Sequence, residues 1–394
     1  MKTRNLLSIT LLTIFLTSCN GNVTSNGTKS SGSSFNGSSN GSSSLSTGYT
    51  IKWVNYDGTE LEVDENVLEG TMPTYDGETP TKPSTDDYNY KFIGWSPEVV
   101  EVSKSTTYKA IYEEILKVMT FGMYPQTVVL DSDFSYELDV YAKTAQKEEN
   151  GWIKYTDGSY YTSVVASPNF ERYFEDGTKV VNKKSYWFKC EPIKWKVIKS
   201  DDSSLLLVSE KILDAHIFCD DNSSDYFLNN YKESSIRSWL NNEFYNTAFL
   251  DSKSRIKTTH IDNSPISTGN ENNKYTCDDT DDKVFLLSRQ DYQNDDYGFA
   301  DESDGNYKNK ANNKEKRKSK GTDYAIARGL NAWNTINSDS FGYGSYWTRS
   351  PMNEPGGEQA WTIDYSGAFD TISGSVRQGQ YGVVPAITIN KAMA

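Results

Sequence analysis

Two histidines, His216 and His260, are the side chains of this sequence best suited to exchanging a proton near neutral pH. His216 follows ILDA (residues 212–215) at the end of a predicted strand, and His260 lies in a polar segment with no nucleophile close to it in the sequence. A hydrolytic triad needs a histidine that a carboxylate orients beside the nucleophile. The pattern therefore predicts no catalytic residue and favours a structural position for His216.

Three cysteines remain besides Cys19, namely Cys190, Cys219 and Cys277, and they offer little for metal binding. Cys219 stands three residues after His216, but a structural zinc site usually shows two such close pairs, and the other two thiols are scattered. We expect small buried side chains with at most one disulfide among them. We predict no metal and no cofactor.

Two oppositely charged segments follow one another between residues 291 and 320. Residues 291–307 supply carboxylates for a hard cation but lack the regular ligand spacing of a calcium-binding loop. Residues 308–320 are basic enough to grip phosphates or an acidic polymer. Because the two segments are adjacent, we predict instead a solvated surface insertion at about 278–320 whose charges neutralise each other.

The best candidates for recognition lie at residues 353–380, where aromatic rings are interspersed with turns, glycines and short polar side chains. Aromatic faces beside adaptable polar groups suit a binding surface. Side chains alternate along a strand, so Trp361 shares the core-facing side with Ile363 while Asp364 points to the opposite side. We predict the ligand-binding residues to be Asp364, Tyr365, Asp370, Arg377 and Gln378.

Arg349 lies just before this stretch, between two hydroxyl residues in the segment GYGSYWTRSP of residues 342–351. In that position an arginine either clamps a ligand or bonds to carbonyls within the fold. The segment is a predicted strand and Trp347 is close by, which favours a buried arginine with several hydrogen bonds. We therefore predict structural roles for Trp347 and Arg349.

The elements that must position these residues are mainly strands. The chain has 394 residues, of which 36% are hydrophobic, and 27 tyrosines, 16 phenylalanines and 9 tryptophans supply much of the surface to be buried. Such a glycine-punctuated, aromatic composition favours strands and loops over a helical bundle. The net charge of −14 argues against general affinity for nucleic acid or for an anionic membrane surface.

The N-terminus carries Lys2 and Arg4, an apolar run at residues 6–16, and small residues before Cys19. The run is too short to span a membrane and is typical of an export signal. It resembles the bacterial lipoprotein signal, which implies cleavage after residue 18, a diacylglyceryl group on Cys19 and a lipid-anchored place on the outer side of the cell membrane. Residues 19–48 contain mostly Ser, Gly, Asn and Thr, so we predict a disordered, flexible tether.

Residues 49–114 form a small β-rich block. Its strands are predicted at YTIKW, YKFIGW and TTYKAIY, with a hairpin turn at Asp57-Gly58. These segments resemble the Listeria–Bacteroides repeat, or internalin B-repeat, of bacterial surface proteins, which implies a β-grasp-like spacer. Trp95 and Tyr112 are predicted to belong to its core rather than to a binding surface.

Residues 117–394 are predicted to form one larger domain. Two strands joined by a turn at residues 200–203 are followed by a helix that begins at Ser234 or Ser235. A face of this helix is apolar and contains Ile236, Leu240, Phe244 and Ala248. A buried strand at DKVFLLS, a short helix at TDYAIARG, a hairpin turning at Ser366-Gly367 and a closing strand at YGVVPAITI complete the domain.

The order of these elements resembles a bacterial domain family of unknown function with a C-type-lectin-like fold, related in shape to formylglycine-generating enzymes. The matching segments are FGMYPQ, IKW, SEKIL, IRSWLN, VFLLS, YWTRSP and GVVPA. The enzymes of this shape use late cysteines to bind copper, and no cysteine follows Cys277. The resemblance implies an α+β domain whose C-terminal region contacts ligands.

Together these features predict a lipid-anchored surface protein whose C-type-lectin-like head binds an extracellular protein or glycan without catalysis. Two alternatives remain open at this point. One is an enzyme of the formylglycine-generating shape with an unrecognised site, and the other is a purely structural envelope protein.

Overall fold

A computed structural model of the chain describes residues 48–85, 88–220, 227–269, 271–299, 310–370 and 374–391. The predicted signal peptide, Cys19 and almost all of the predicted tether lie outside these residues. The described chain divides into two units: residues up to Lys82 together with Phe92–Tyr112, and Pro83–Lys91 together with the residues from Glu113 onward. Each unit is mainly β-sheet, and the larger one adds a few short helices, so the predicted α+β class is confirmed.

The smaller unit contains β1, β2 and the greater part of β3 and β4, which pair in the order β2-β1-β4-β3, with β1 parallel to β4 and antiparallel to β2. Gly58 has a φ of +92°, which a glycine adopts without strain, and it turns the chain between β1 and β2 as predicted. The strands of this sheet are β1 (Tyr49–Val54), β2 (Glu60–Val67), β3 (Tyr88–Ser96) and β4 (Thr106–Leu116).

The core of the smaller unit forms around Trp53, which alternation along β1 turns inward. The Trp53 ring stacks on Tyr108 at 4.8 Å and meets Trp95 edge-on at 4.8 Å. Its Nε1 donates a hydrogen bond to Asp64 Oδ2 at 3.1 Å. Trp95 thus packs against this core, as predicted from the sequence.

The larger unit contains fourteen strands within its described residues, arranged in three sheets. In chain order they are β5 (Val118–Val128), β6 (Ile153–Lys154), β7 (Tyr160–Val165), β8 (Ser185–Ser200), β9 (Ser204–Ser209), β10 (Asp214–Ala215), β11 (Thr259–Ile261), β12 (Thr280–Asp282), β13 (Val284–Leu286), β14 (Tyr346–Pro351), β15 (Ala360–Ile363), β16 (Phe369–Asp370), β17 (Gly382–Val383) and β18 (Pro385–Asn390).

The largest sheet has the order β13-β18-β9-β8-β7-β6, and β5 also pairs with the long strand β8. A five-stranded sheet has the order β10-β17-β14-β15-β16, and β11 pairs with β12. The predicted closing strand is therefore two strands, because the chain changes sheets at Val384 between β17 and β18. The hairpin turn between β8 and β9 lies where the sequence predicted it.

Short helices pack on these sheets. They are α1 (Ser132–Tyr141), α2 (Ser235–Trp239), which continues through the π-helical turn Leu240–Phe244 into α3 (Tyr245–Ala248), α4 (Lys310–Arg317) and α5 (Asp323–Ala327). Single 3₁₀ turns occur at Lys253–Arg255, Asp291–Gln293 and Asp295–Tyr297. Within the residues that the structure describes, no helix is both long and apolar enough to cross a membrane.

The helix that begins at α2 confirms a prediction made from its sequence pattern. Ser234 is its N-cap, and the Ser234 hydroxyl accepts a hydrogen bond from the Arg237 amide at 3.3 Å. The four apolar side chains expected on one face are all buried: Ile236, Leu240, Phe244 and Ala248. The helix α5 is likewise capped by Thr322 and ends before Gly329, as predicted.

Hydrogen bonds link some of the segments that carry the family resemblance to one another and to nearby residues. Trp195 Nε1 donates to the carbonyl of Phe121 at 2.7 Å. Tyr124 donates to Asp214 Oδ2 at 2.8 Å, and Arg328 Nε donates to Asp214 Oδ1 at 3.1 Å. The Asp214 charge raises the pKa of Arg328, and burial raises the pKa of Tyr124. These segments are thus tied to the assembly of the core.

The prediction of a solvated insertion at about 278–320 is wrong for most of the residues in this range that the structure describes. Its first residues form β12 and β13, and β13 is an edge strand of the largest sheet with every side chain buried. Near its end, Arg317 is only 1% exposed and donates to the carbonyls of Gly367 and Tyr292. The cost of burying this guanidinium is offset because these carbonyls accept its hydrogen bonds.

Candidate functional site

The predicted binding residues lie on the last hairpin of the five-stranded sheet and in the loop that follows it. Asp364 and Tyr365 are in the turn after β15, and Asp370 is on β16 opposite Thr362. Arg377 and Gln378 are exposed in the loop before β17. The structure therefore places all five on neighbouring segments, although they differ in what they contact.

Asp364 shapes its own turn. Its Oδ1 accepts hydrogen bonds from the Ser366 amide at 2.8 Å, the Ser366 hydroxyl at 2.7 Å and the Ala368 amide at 3.0 Å. Gly367, with a φ of +81°, closes the turn, and Lys314 of α4 packs directly against it. The Asp364 carboxylate thus orients the turn that presents Tyr365.

Tyr365 stacks on Trp333, with ring centroids 4.4 Å apart and planes inclined by 31°. Trp333 is 37% exposed, a large fraction for an indole ring. Trp333 was not among the residues predicted from the sequence. The sequence did contain a sign of this surface. Residues 333–337 read WNTIN, a turn-rich polar segment with an aromatic ring, and they follow shortly after the helix ends before Gly329.

Three loops meet at Asn331, two residues before Trp333, and we refer to residues 167–172, 330–337 and 378–380 as the three-loop surface. The Asn331 amide donates to the Gln380 carbonyl at 2.7 Å, which joins the second loop to the third. The Asn169 side chain donates to Gln380 Oε1 at 3.4 Å, and Gln380 donates to Gln378 Oε1 at 3.3 Å. Of the predicted residues, Tyr365 and Gln378 therefore belong to one continuous surface.

Arg172, in the first loop, is hydrogen-bonded to the second loop. Its Nε donates to the Leu330 carbonyl at 3.2 Å and its Nη2 to Asn331 Oδ1 at 2.6 Å. Burial lowers the pKa of Arg172, but an arginine keeps its charge at any ordinary pH. Phe170, 68% exposed, lies over this guanidinium at 5.7 Å. Asn334 adds a further link by donating to the Glu171 carbonyl at 3.0 Å.

Asp370 belongs to a different environment. Its neighbour Phe369 is contacted by the guanidinium groups of Arg289 at 5.2 Å and Arg317 at 4.9 Å. The Arg289 guanidinium also lies 4.5 Å from the Trp361 ring. These contacts fix β16 at the edge of its sheet, with Asp370 next to a group of aromatic rings and guanidinium groups.

Trp347 and Arg349 lie on the central strand β14, all six residues of which are buried. Trp347 Nε1 donates to the His216 carbonyl at 2.9 Å. Arg349 is 5% exposed, and its Nη1 donates to the Leu286 carbonyl at 3.1 Å and to Asp291 Oδ2 at 2.6 Å. Its Nη2 also donates to the carbonyl of Asp262, just after β11, at 3.4 Å, so Arg349 connects three separate parts of the fold.

Arg349 also forms part of the wall of a cavity of about 400 Å³. Carboxylates in its wall are engaged by serines of their own loops: Asp201 accepts from Ser204, and Asp262 accepts from Ser267. Apolar side chains of the sheet complete the wall. Both of these carboxylates are therefore engaged by neighbouring hydroxyl groups.

The two histidines occupy separate places. The His216 ring stacks on Trp239 at 4.7 Å, inside the fold. His260 is on the β11–β12 hairpin, where its Nδ1 and Asp281 Oδ1 are 3.1 Å apart, and this hydrogen bond raises the pKa of His260. Asp279 also approaches His260 Nε2 at 3.3 Å.

The cysteines do not pair with one another within the described residues. Cys190 and Cys219 are buried and Cys277 is partly buried, and burial raises the pKa of Cys190. In the described ranges no group of three His, Cys, Asp or Glu side chains is close enough to hold a metal ion.

The fold and the site define an α+β domain that carries a surface of aromatic and amide side chains on adjoining loops. Residues 202–391 of it match a family described as a domain of unknown function, DUF6273. No curated protein matches the chain, and no solved structure matches it. The family match begins at the β8–β9 turn, so β5 to β8 of the largest sheet lie outside it.

Proposed function

We propose that this protein is a lipid-anchored bacterial surface protein whose larger unit binds an extracellular protein or glycan through the three-loop surface and the adjoining Tyr365. Cys19, in the lipoprotein-like signal, would hold the chain on the outer face of the membrane. The glycine- and serine-rich residues up to 48 would separate the described units from that membrane.

The observation that carries the proposal is the contact between the exposed Trp333 and the partly buried Tyr365, together with the amide side chains of Gln378 and Gln380 on a loop that is hydrogen-bonded to the loop of Trp333. Binding surfaces are enriched in aromatic rings, and here two of them are in contact on adjoining segments. Loops held by a rigid sheet are also where recognition residues concentrate.

The smaller unit fits the role of a spacer. Its strand order β2-β1-β4-β3, with β1 parallel to β4, supports the β-grasp-like repeat that its sequence resembles. Its largest rings pack on each other in the core, which leaves them unavailable for a ligand. For the larger unit we propose a C-type-lectin-like fold, on the basis of the sequence segments described above.

The proposal is tested with vesicles that carry the full-length protein, incubated with an immobilised panel of mucin, fibronectin, chitin and cellulose. We expect binding to at least one of these surfaces, and at least about a tenfold loss when Tyr365→Ala and Gln378→Ala are combined.

Tyr136→Ala is the matched control, because Tyr136 is an exposed ring on α1, outside the three loops. It should bind as the unaltered protein does. Failure to bind any surface, or binding that the combined change leaves intact, would show that this surface does not recognise a ligand.

A further inference from the structure

We infer that the three-loop surface binds a neutral saccharide, with the indole of Trp333 as the platform for the C–H face of a sugar ring. This inference rests on the proposed function and assigns it a ligand class. It follows from the kind of rings, the kind of polar groups and the rigidity of the loops.

The rings supply the platform. Tyr365 stacks on Trp333 at 4.4 Å, so one ring of the pair fixes the orientation of the other, while 37% of Trp333 stays accessible. Phe170, on the adjoining first loop, is 68% exposed. The faces of aromatic rings are electron-rich and attract the weakly positive C–H groups that line one side of a pyranose. Flat exposed rings of this kind suit the C–H face of a saccharide more than they suit an anionic ligand.

The polar groups supply hydrogen bonds of both directions without charge. The side chains of Asn169, Gln380 and Gln378 form a chain in which each amide donates to the next. An amide offers both donors and an acceptor, as a sugar hydroxyl does, so amides pair with hydroxyls in either sense. Together with the rings on the same three loops, these amides match a ligand that has hydroxyl groups on its edge and C–H groups on its face.

The charges near these amides are engaged within the protein. Arg172 is buried and donates to the Leu330 carbonyl and the Asn331 side chain. Glu171 accepts from Tyr173 and Lys179. Arg377, exposed beside Gln378, adds a positive charge at the edge, so a carboxylated sugar is the alternative ligand that the experiment has to separate.

Backbone hydrogen bonds fix the three loops in the absence of a ligand. The Ser167 amide donates to the Ala327 carbonyl at 2.8 Å, and the Asn331 amide donates to the Gln380 carbonyl at 2.7 Å. Gly329, with a φ of +111°, lets the first loop approach, since a Cβ there would lie 3.2 Å from the Ser167 carbonyl. Weak contacts with a saccharide give useful affinity only when the site loses little entropy on binding, and these bonds provide that condition.

The experiment uses the full-length protein in a sugar-free zwitterionic detergent and follows tryptophan fluorescence and saturation-transfer NMR. The probes are cellohexaose and chitohexaose as neutral saccharides, oligogalacturonate as a charged one, and deglycosylated fibronectin as a protein. We expect binding of at least one neutral saccharide with saturation transfer to the sugar C–H protons. Trp333→Ala should weaken it at least about tenfold, and Trp333→Phe less, because phenylalanine keeps a ring.

Tyr136→Ala again serves as the control and should leave the affinity unchanged, and thermal unfolding shows that each variant folds. Neutral saccharide binding that Trp333→Ala does not weaken would overturn the inference. Binding of only oligogalacturonate or fibronectin, lost in Trp333→Ala, would overturn the saccharide assignment and leave the proposed function standing. Absence of binding by every probe would refute the saccharide inference and count against the broader proposal as well.

Discussion

Arg349 shows at the scale of one residue how a sequence position acquires its meaning from distant neighbours. Flanked by Thr348 and Ser350, it has the appearance of a ligand clamp in the sequence. In the structure its guanidinium is 5% exposed and bonds to the Leu286 carbonyl and to Asp291. Those bonds support the structural role predicted from the strand around it.

Replacing Arg349 with lysine tests that role. Lysine keeps the charge, but its shorter side chain has one nitrogen in place of the two that bond Leu286, Asp291 and Asp262, so at least one partner loses its hydrogen bond. We expect the free energy of unfolding to fall by about 2–3 kcal/mol, measured by urea denaturation of the full-length protein.

Arg377→Lys is the control for this measurement, because Arg377 is exposed in a loop, and it should change stability by less than about 0.5 kcal/mol. An Arg349→Lys protein as stable as the unaltered one would refute the structural role.

The element scale is best illustrated by the β15–β16 turn. Its backbone closes through Gly367 N to the Asp364 carbonyl at 2.9 Å and Asp364 N to the Ala368 carbonyl at 2.8 Å. The turn between β6 and β7 has the same pattern, with Gly158 N bonded to the Tyr155 carbonyl at 3.0 Å. The two turns differ in what surrounds the glycine.

Gly367→Ala is expected to destabilise the protein more than Gly158→Ala does. Both glycines have a φ above +80°, which costs alanine about 1 kcal/mol. A Cβ at Gly367 would also lie 1.9 Å from the Lys314 carbonyl, whereas a Cβ at Gly158 meets nothing within 4 Å. The turn must then separate from α4, at a further cost of about 1–3 kcal/mol.

Urea denaturation of both variants measures this difference. Equal stability losses would mean that the contact between the turn and α4 contributes nothing. We also expect Gly367→Ala to weaken any binding that depends on Tyr365, because the same turn presents that ring.

Local elements could be predicted from the sequence because their signals are local. The apolar face of α2 and α3, the Ser234 cap and the turn before β9 depend on residues within a few positions of each other. Arg317 could not be predicted as buried, since its partners Gly367 and Tyr292 are 50 and 25 residues away.

The candidate site was predictable only in part for the same reason. Tyr365 and Gln378 lie in a stretch whose composition marks a binding region. Trp333 joins them through a ring contact across 32 positions of the chain, and Asn169 through a hydrogen bond across 211. Composition identifies a surface, but only the tertiary fold determines which loops complete it.

At the scale of the whole molecule, the prediction concerns the anchor. Two or three acyl chains on Cys19 would bind a membrane far more firmly than one, since each buried CH₂ contributes about 0.8 kcal/mol. We expect Cys19→Ser to move the protein from the detergent phase to the aqueous phase in phase-partition experiments and to release it from cells. Cys277→Ser, at a partly buried thiol of the larger unit, should stay anchored. Retention of the Cys19→Ser protein in the membrane fraction would refute lipidation at this position.

The change of sheets at Val384 has a consequence for the order of folding. β17 lies between β10 and β14, and β18 lies between β13 and β9, so residues 382–390 fill the interior of both large sheets. Neither sheet closes until these late residues arrive, and pairings between such distant segments form slowly. We therefore expect a chain truncated before Gly382 to leave each of the two large sheets without one of its interior strands.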